Sequence, residues 1–303
     1  MPNPLTKAEA DSCPAAAHPV LMHYLAGEVS AEIALMHLLL AAGTLQQLNA
    51  VLQQLGVVGR VPLARLAQLG ADHAAGLARA ARLVEAGLTE AHGDDRLAAV
   101  REQYNNAVAA APEAAVALYS LGDPVILERA TTELAGLLGN WGLLRADRDA
   151  LDIGCGIGRL EKALAPNLRS VVGIDLSPAM IAEAKRRCAG IANVEFHLCG
   201  GRDLSQFSKA SFDLILAVDS FPCIVAIGSE IAARYIGDAA HMLKPGGTLA
   251  IFNYSYRGDI EADRVEIAAF AKSAGLEVVR DGSRDLSLWD GTSFLLRTPP
   301  PRG

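Results

Sequence analysis

Residues Ala150 to Pro178 constrain the chain more than any other stretch. They hold an apolar run, three closely spaced glycines, and a second apolar run that ends on an acid. Leu151 to Ile153 fits a short buried strand, Gly154, Gly156 and Gly158 a turn, and Arg159 to Leu164 a helix. Ser170 to Ile174 predicts a second strand ending on Asp175, and Ser177-Pro178 supplies an N-cap and a first-turn proline for the helix after it. Such a unit puts its loops at the carboxyl edge of a parallel sheet, where open α/β folds take their ligands.

Each residue type in that unit has a physical task. Glycines let the backbone take positive φ and let a ligand lie against the main chain, where a Cβ would collide with it. An acid about 20 residues after the first glycine, at the end of the neighbouring strand, can accept hydrogen bonds from both hydroxyls of a ribose. Asp175 is that acid. A dinucleotide site wants G-x-G-x-x-G, but Arg159 occupies the position of the third glycine, so NAD is disfavoured. The run reads instead G-x-G-x-G, with Asp152 two residues ahead of it.

This pattern resembles the first motif of class I S-adenosylmethionine-dependent methyltransferases, in which Asp175 matches the ribose-binding acid. The resemblance runs over roughly residues 100 to 298 and implies S-adenosylmethionine as cofactor. It implies that Asp152 holds the turn and the cofactor's amino group, and that Gly154, Cys155, Gly156, Gly158 and Leu176 lie along the cofactor. Asn193 to Leu198 alternates as a third strand. In the loop after it the family carries an adenine-binding acid, where this chain has Gly200, leaving Arg202 and Asp203 further on as the candidates; a turn-capping role is the alternative for Asp203. Ser211 to Ser220 reads as a fourth strand, and the resemblance implies that Val218 and Asp219 lie at the cofactor, with Asp219 facing the transferable methyl. Ser220 and Phe221 stand where the D-P-P-Y form of amino methylation would place prolines, which removes support for a nucleic-acid substrate.

A helix over Ser229 to Leu243 leads to a Lys244-Pro245-Gly246-Gly247 turn and a fifth strand, Thr248 to Asn253, an order frequent in the same family. Asn253, Tyr254 and Tyr256 then lie at the functional edge, the two tyrosines able to orient an acceptor and Asp219 able to take its proton. Tyr104 and Tyr119, in segments that would fold over the methionine end of the cofactor, are further candidates, with ordinary packing as the alternative. His197 and His241 read as packing or surface residues. A helix through Val265 to Ala274 precedes Leu276 to Arg280 and Ser293 to Arg297, whose short link predicts an antiparallel hairpin. The expected fold is therefore α/β, a Rossmann-like, seven-stranded, mostly parallel sheet closed by that hairpin, with a small all-α N-terminal domain.

The boundary is expected near residues 98 and 99. Met1 to Pro19 reads as a loose arm and Glu90 to Arg96 as a polar linker. Between them Ser30 caps a helix with Ile33, Met36, Leu39 and Leu40 on one face, and Leu45, Leu48, Leu52 and Leu55 follow a helical spacing. These leucines form either a local core or the seam of a homodimer, for which two heptads are few. A net charge of −7 gives no basic field for nucleic acid. Cys13, Cys155, Cys188, Cys199 and Cys223 form no metal-spaced set, so no metal is expected. The N-terminal sequence has no basic segment leading into an apolar core, and the most apolar early run is too short to span a bilayer; a cytoplasmic protein without a membrane segment is expected. Two functions fit: methyl transfer to an oxygen or nitrogen of a small molecule, or a non-catalytic cofactor-binding scaffold or sensor that engages a protein partner through its helices.

Overall fold

The computed structural model describes residues 4–87 and 96–300. All but Arg96 of the expected linker lies outside the described residues. The chain divides into two compact units, and not by a single cut near residue 98. One unit comprises Met1–His92, Asn106–Ala130 and Leu286–Asp290, the other Gly93–Asn105, Thr131–Asp285 and Gly291–Gly303.

The first unit is helical from its first turn, which corrects the expectation of a loose arm. In α1 (Lys7–Asp11) the Thr6 hydroxyl accepts from the Glu9 backbone N–H at 3.3 Å, and the Glu9 carboxylate accepts from the Thr6 N–H at 2.8 Å. That reciprocal cap satisfies two donors that a helix start otherwise leaves open. Glu9 is only 2% exposed, and a carboxylate at such a depth requires a cation. Arg60 supplies it, with Nε at 3.0 Å and Nη2 at 2.7 Å. Those bonds hold the Glu9 carboxyl down at about 2, against an ordinary value of 4.5. The stability it contributes is therefore complete above pH 4.5 and is lost as pH falls towards 2. Melting curves across that window should drop less steeply for Glu9→Gln than for the native chain. Equal slopes would remove this pair as a cause.

The helices α2 (His18–Leu25), α3 (Ala31–Ala42), α4 (Leu45–Val58), α5 (Val61–Asp72) and α6 (Ala74–Glu85) follow. Ser30 does cap α3, accepting from the Ile33 N–H at 3.1 Å. The expected single apolar face is not what is buried: Ile33, Ala34, Leu35, Leu38 and Leu39 are all inaccessible, while Met36 and Leu40 are half-buried. A helix apolar around most of its girth belongs inside, and α3 is that inner helix. On α4, Leu48, Leu52 and Leu55 turn into the same unit. Gly70 of α5 lets the Leu52 side chain close in, since a Cβ there would stand 2.5 Å from Leu52 Cδ1.

Two further helices, α7 (Arg96–Ala110) and α9 (Pro124–Asn140), contain the boundaries between units, with the short α8 (Pro112–Val116) between them. Residues 286–290 join the helical unit because Trp289 stacks on Tyr119 at 5.5 Å and the Leu288 carbonyl accepts from the Ser30 hydroxyl at 2.8 Å.

The second unit alternates: β1 (Asp149–Ile153), α10 (Arg159–Leu164), β2 (Ser170–Asp175), α11 (Pro178–Arg187), β3 (Val194–Leu198), β4 (Phe212–Val218), α12 (Phe221–Ile227), α13 (Ser229–Met242), β5 (Leu243–Phe252), α14 (Ile260–Ala274), β6 (Glu277–Ser283) and β7 (Ser293–Arg297). The described strands form one seven-stranded sheet in the order β3-β2-β1-β4-β5-β7-β6. Every pairing from β3 to β5 is parallel, and β7 runs antiparallel to both β5 and β6. The α/β fold and its closing hairpin are as expected.

Leu151, Ile215, Leu249, Ile251 and Leu296 are inaccessible on neighbouring strands, as unbroken apolar runs require when a sheet is covered on both faces. Phe221 and Phe294 add aromatic bulk to the same core, each contributing roughly 2–3 kcal/mol by burial. At the amino end of the sheet, Lys244 Nζ bridges Asp149 at 2.9 Å and Asp213 at 2.6 Å, which ties together the starts of β1, β4 and β5.

One local expectation changes, and one further helix enters. Residues 244–247 belong to β5 rather than to a turn before it, with a register shift between Phe212 and Leu214 on the partner strand absorbing the glycines. The run after Asp219 makes a separate helix, α12. Among the described residues no helix is long and apolar enough to cross a membrane.

Candidate active site

The order of strands creates the site. The chain leaves β1 for β2 and β3 on one side, then crosses to β4 on the other, so the loops after β1 and β4 diverge and open a crevice at their carboxyl ends. Gly154, Gly156 and Gly158 line it with φ of 77°, 53° and 77°, a region that side chains rarely enter. At Gly154 space is also at issue: a Cβ would stand 2.4 Å from that of Ser220. The Gly154 and Cys155 N–H groups both donate to the Ile174 carbonyl, at 2.8 and 2.9 Å, which folds the turn back over β2.

Asp175 sits at the tip of β2 as its sequence position requires. Its Oδ2 accepts from the Gly156 N–H at 3.0 Å and its Oδ1 from the Ser177 N–H at 2.8 Å. Burial pushes this carboxyl up while backbone donors at Ser177, Gly156 and Leu176 oppose the rise. Each oxygen keeps a second lone-pair direction for a ribose hydroxyl. Asn105 of α7 steadies the neighbouring helix start, its Oδ1 accepting from the Ser177 hydroxyl at 2.7 Å and the Ala179 N–H at 3.3 Å. No local pattern points to that role, which joins residues 72 apart.

Two polar atoms at the turn lack partners: Asp152 Oδ1 and Ser220 Oγ are buried with none. Burial raises the Asp152 carboxyl to about 7. An unanswered carboxylate oxygen beside a glycine cradle is what the ammonium end of S-adenosylmethionine would satisfy, and the ribose fits Asp175. Beyond the tip of β2, Leu176 is half-buried and Gly201 is hemmed in, since a Cβ there would meet Leu97 Cδ2 at 2.8 Å and Leu176 Cδ1 at 3.0 Å. Apolar walls of this kind suit a flat base. Asp203 has a different occupation, its Oδ1 accepting from the Ser205 N–H at 3.1 Å and hydroxyl at 2.5 Å, the capping alternative. Arg202 is exposed.

At the tips of β4 and β5 the structure gathers a second cluster. Val218 is buried, and the chain turns sharply after it: Asp219 has φ 59° and, on the next strand, Asn253 has φ 64°. Left-handed conformations at two adjoining strand ends cost of order 1 kcal/mol each and gather at functional sites. They aim side chains at one another: Asn253 Nδ2 donates to Asp219 Oδ1 at 2.7 Å, and the Tyr256 hydroxyl donates to the same oxygen at 2.9 Å. Tyr104 lies in this unit too, its hydroxyl 3.1 Å from Cys223 Sγ on α12. Burial lifts the Cys223 thiol to about 11, so the contact joins two protonated groups.

Of the tyrosines, one leaves the cluster. Tyr254 is fully buried in the core, its ring 5.6 Å from Phe221 and 6.4 Å from Phe294. β5 ends at Phe252 and the chain bends at residues 256–258, so the alternation of a strand does not extend to Tyr254 and Tyr256, and they do not share a face. Tyr119 belongs to the helical unit and is stacked on Trp289.

Comparison with known proteins agrees with this geometry. A family model described as "Methyltransferase domain" matches residues 150–247, from β1 into β5. The demethylmenaquinone methyltransferase of Tropheryma whipplei (strain Twist) is 36% identical over 111 residues, which is 37% of this chain and 44% of that protein. The chain thus spans less than half the length of that relative. The ubiquinone biosynthesis O-methyltransferase of Methylococcus capsulatus is 30% identical over 167 residues, 49% of this chain and 68% of that protein. Among solved structures, magnesium protoporphyrin IX methyltransferase from Synechocystis PCC 6803 shares the fold with a TM-score of 0.52 at 19% identity, over 69% of this chain and all of that one. With its glycine cradle, the acid at the tip of β2, and identity extending over two thirds of a named relative, the chain belongs to the class I S-adenosylmethionine-dependent methyltransferases.

Proposed function

We propose that this protein transfers the methyl group of S-adenosylmethionine to an oxygen or nitrogen of a small molecule. The observation that carries the reading is the cluster at Asp219, a carboxylate oriented by Asn253 and Tyr256 at the strand end beside the cofactor cradle. The names of the two relatives above support a small acceptor, as does the acidic net charge.

When bound, S-adenosylmethionine supplies a methyl group already activated on a sulfonium. The chain's own residues then have three tasks. Asp152 would hold the ammonium of the cofactor and Asp175 its ribose, which would fix the sulfonium between them. Asp219 and Tyr256 hold the acceptor with a lone pair behind that carbon; positioning alone can supply on the order of 7–11 kcal/mol. Where the acceptor carries a proton, Asp219 receives it on a carboxylate oxygen, a step worth roughly 100-fold or more. Tyr104 and Cys223 offer a neutral, mostly apolar wall beside them.

The test is to incubate the protein with a metabolite extract and methyl-labelled S-adenosylmethionine, then search for a labelled product by mass spectrometry. A labelled small molecule supports the reading. Tight binding of the cofactor with no product from any extract, together with one protein recovered in fixed ratio, would favour the scaffold reading instead.

A further inference from the structure

Glu161, the third residue of α10, is a buried acid with no part in the methyl transfer itself. It is inaccessible to solvent, and neither of its carboxyl oxygens has a partner with hydrogen-bond geometry. Its burial is built into the packing: a Cβ on Gly173 of β2 would stand 2.3 Å from Glu161 Oε1, so the strand has only a hydrogen where the carboxyl lies. The titratable groups that face it are Asp152 from β1, Asp175 from β2, Cys155 from the glycine turn and Cys188 from the end of α11, with Arg159 on its own helix. Arg159, the cation of the set, directs Nη1 to the Thr131 hydroxyl at 3.0 Å. Gly173 is the register partner of Asp152 on β1, which brings the Asp152 carboxyl to the place where Glu161 is enclosed; Asp152 is 2% exposed and has an unanswered oxygen of its own.

Two carboxylates enclosed together cannot both ionise, and a buried acceptor without a donor is costly. A single proton removes both difficulties. We propose that Glu161 keeps a proton and donates it to Asp152, so that Glu161 is a positioning residue that holds Asp152 as the carboxylate facing the cofactor's ammonium. The proposal rests on S-adenosylmethionine occupying the glycine cradle. No covalent bond to carbon changes; the proton stays on a Glu161 oxygen and Asp152 carries the negative charge. Burial pushes both acids up, which agrees with a proton held by the pair.

Infrared spectroscopy of the native protein tests the proton without any variant. At about pH 8, where ordinary carboxyls are ionised, a protonated carboxyl stretch should be present, and Glu161→Gln should abolish it. Calorimetry with S-adenosylhomocysteine, the demethylated product, tests the positioning. Glu161→Gln, which keeps a neutral donor, should bind within about threefold of the native protein. Glu161→Leu, which has the bulk but no donor, should bind at least about tenfold more weakly, with the acid limb of its pH profile moved to higher pH as Asp152 becomes harder to ionise.

Absence of the carboxyl band, or a band untouched by Glu161→Gln, overturns the proposal while leaving cofactor binding intact. So does equal weakening by Gln and Leu. A band without any binding in the native protein overturns the cofactor assignment, and the positioning role with it.

Discussion

Replacing Asp175 with alanine lowers the affinity for S-adenosylhomocysteine by at least about tenfold, the largest loss expected from any single carboxylate in the site. The size of the loss follows from the number of bonds. In the free protein the Gly156 N–H donates to one oxygen of Asp175 and the Ser177 N–H to the other. The same carboxylate has room for both ribose hydroxyls, and hydrogen bonds to a charged group are worth roughly 1.5–3 kcal/mol each. Loss of even one such bond is about tenfold in affinity. Alanine removes the ribose bonds and also frees the Gly156 N–H, so the glycine turn itself loosens. Asparagine should fall between, since its single carbonyl can answer only one of the two backbone donors and its amide nitrogen opposes the other. Titration calorimetry decides the matter: an alanine variant that binds within twofold of the native protein would remove Asp175 from the site.

The second large effect is expected on turnover rather than on binding. Asp219→Asn should lower kcat by roughly 100-fold on an acceptor that must lose a proton, while leaving S-adenosylhomocysteine affinity within about threefold. Asparagine can still present a carbonyl oxygen to Asn253 Nδ2 and the Tyr256 hydroxyl, so the geometry of the strand ends persists and what is lost is the capacity to take a proton. Asparagine at position 219 also tolerates the left-handed backbone found there. Steady-state kinetics on the labelled product, separating kcat from KM, gives the answer. An unchanged kcat would mean that the acceptor reaches the methyl group without help from Asp219.

Much of the cofactor cradle is legible in the sequence, because its determinants are local. A turn that needs positive φ selects glycine at 154, 156 and 158, and an acid that ends a β-strand must lie at the sheet's carboxyl edge. The acceptor side is only half legible. Asp219 and Tyr256 meet at the strand ends, but continued strand alternation would give Tyr254 the same outlook as Tyr256, whereas β5 stops at Phe252 and the irregular chain after it turns Tyr254 into the core. Glu161 carries no local signal, since an acid in the first turn of a helix normally reads as a favourable surface charge; only the hydrogen-sized gap at Gly173 shows that it points inward. The N-terminal residues mislead for a related reason. Their composition suits an arm, and what orders them is a partner 51 positions away, Arg60.

The sequence alone determined the succession of strands, the glycine turn, the acid at the tip of β2 and the family, because these follow from short-range periodicity and from the conformations that single residue types allow. Tertiary structure decided which strand lies beside which, where 286–290 belongs, and which polar groups are buried without an answer. Those outcomes depend on contacts between residues far apart in the chain, where desolvation and packing act together and no local pattern records them.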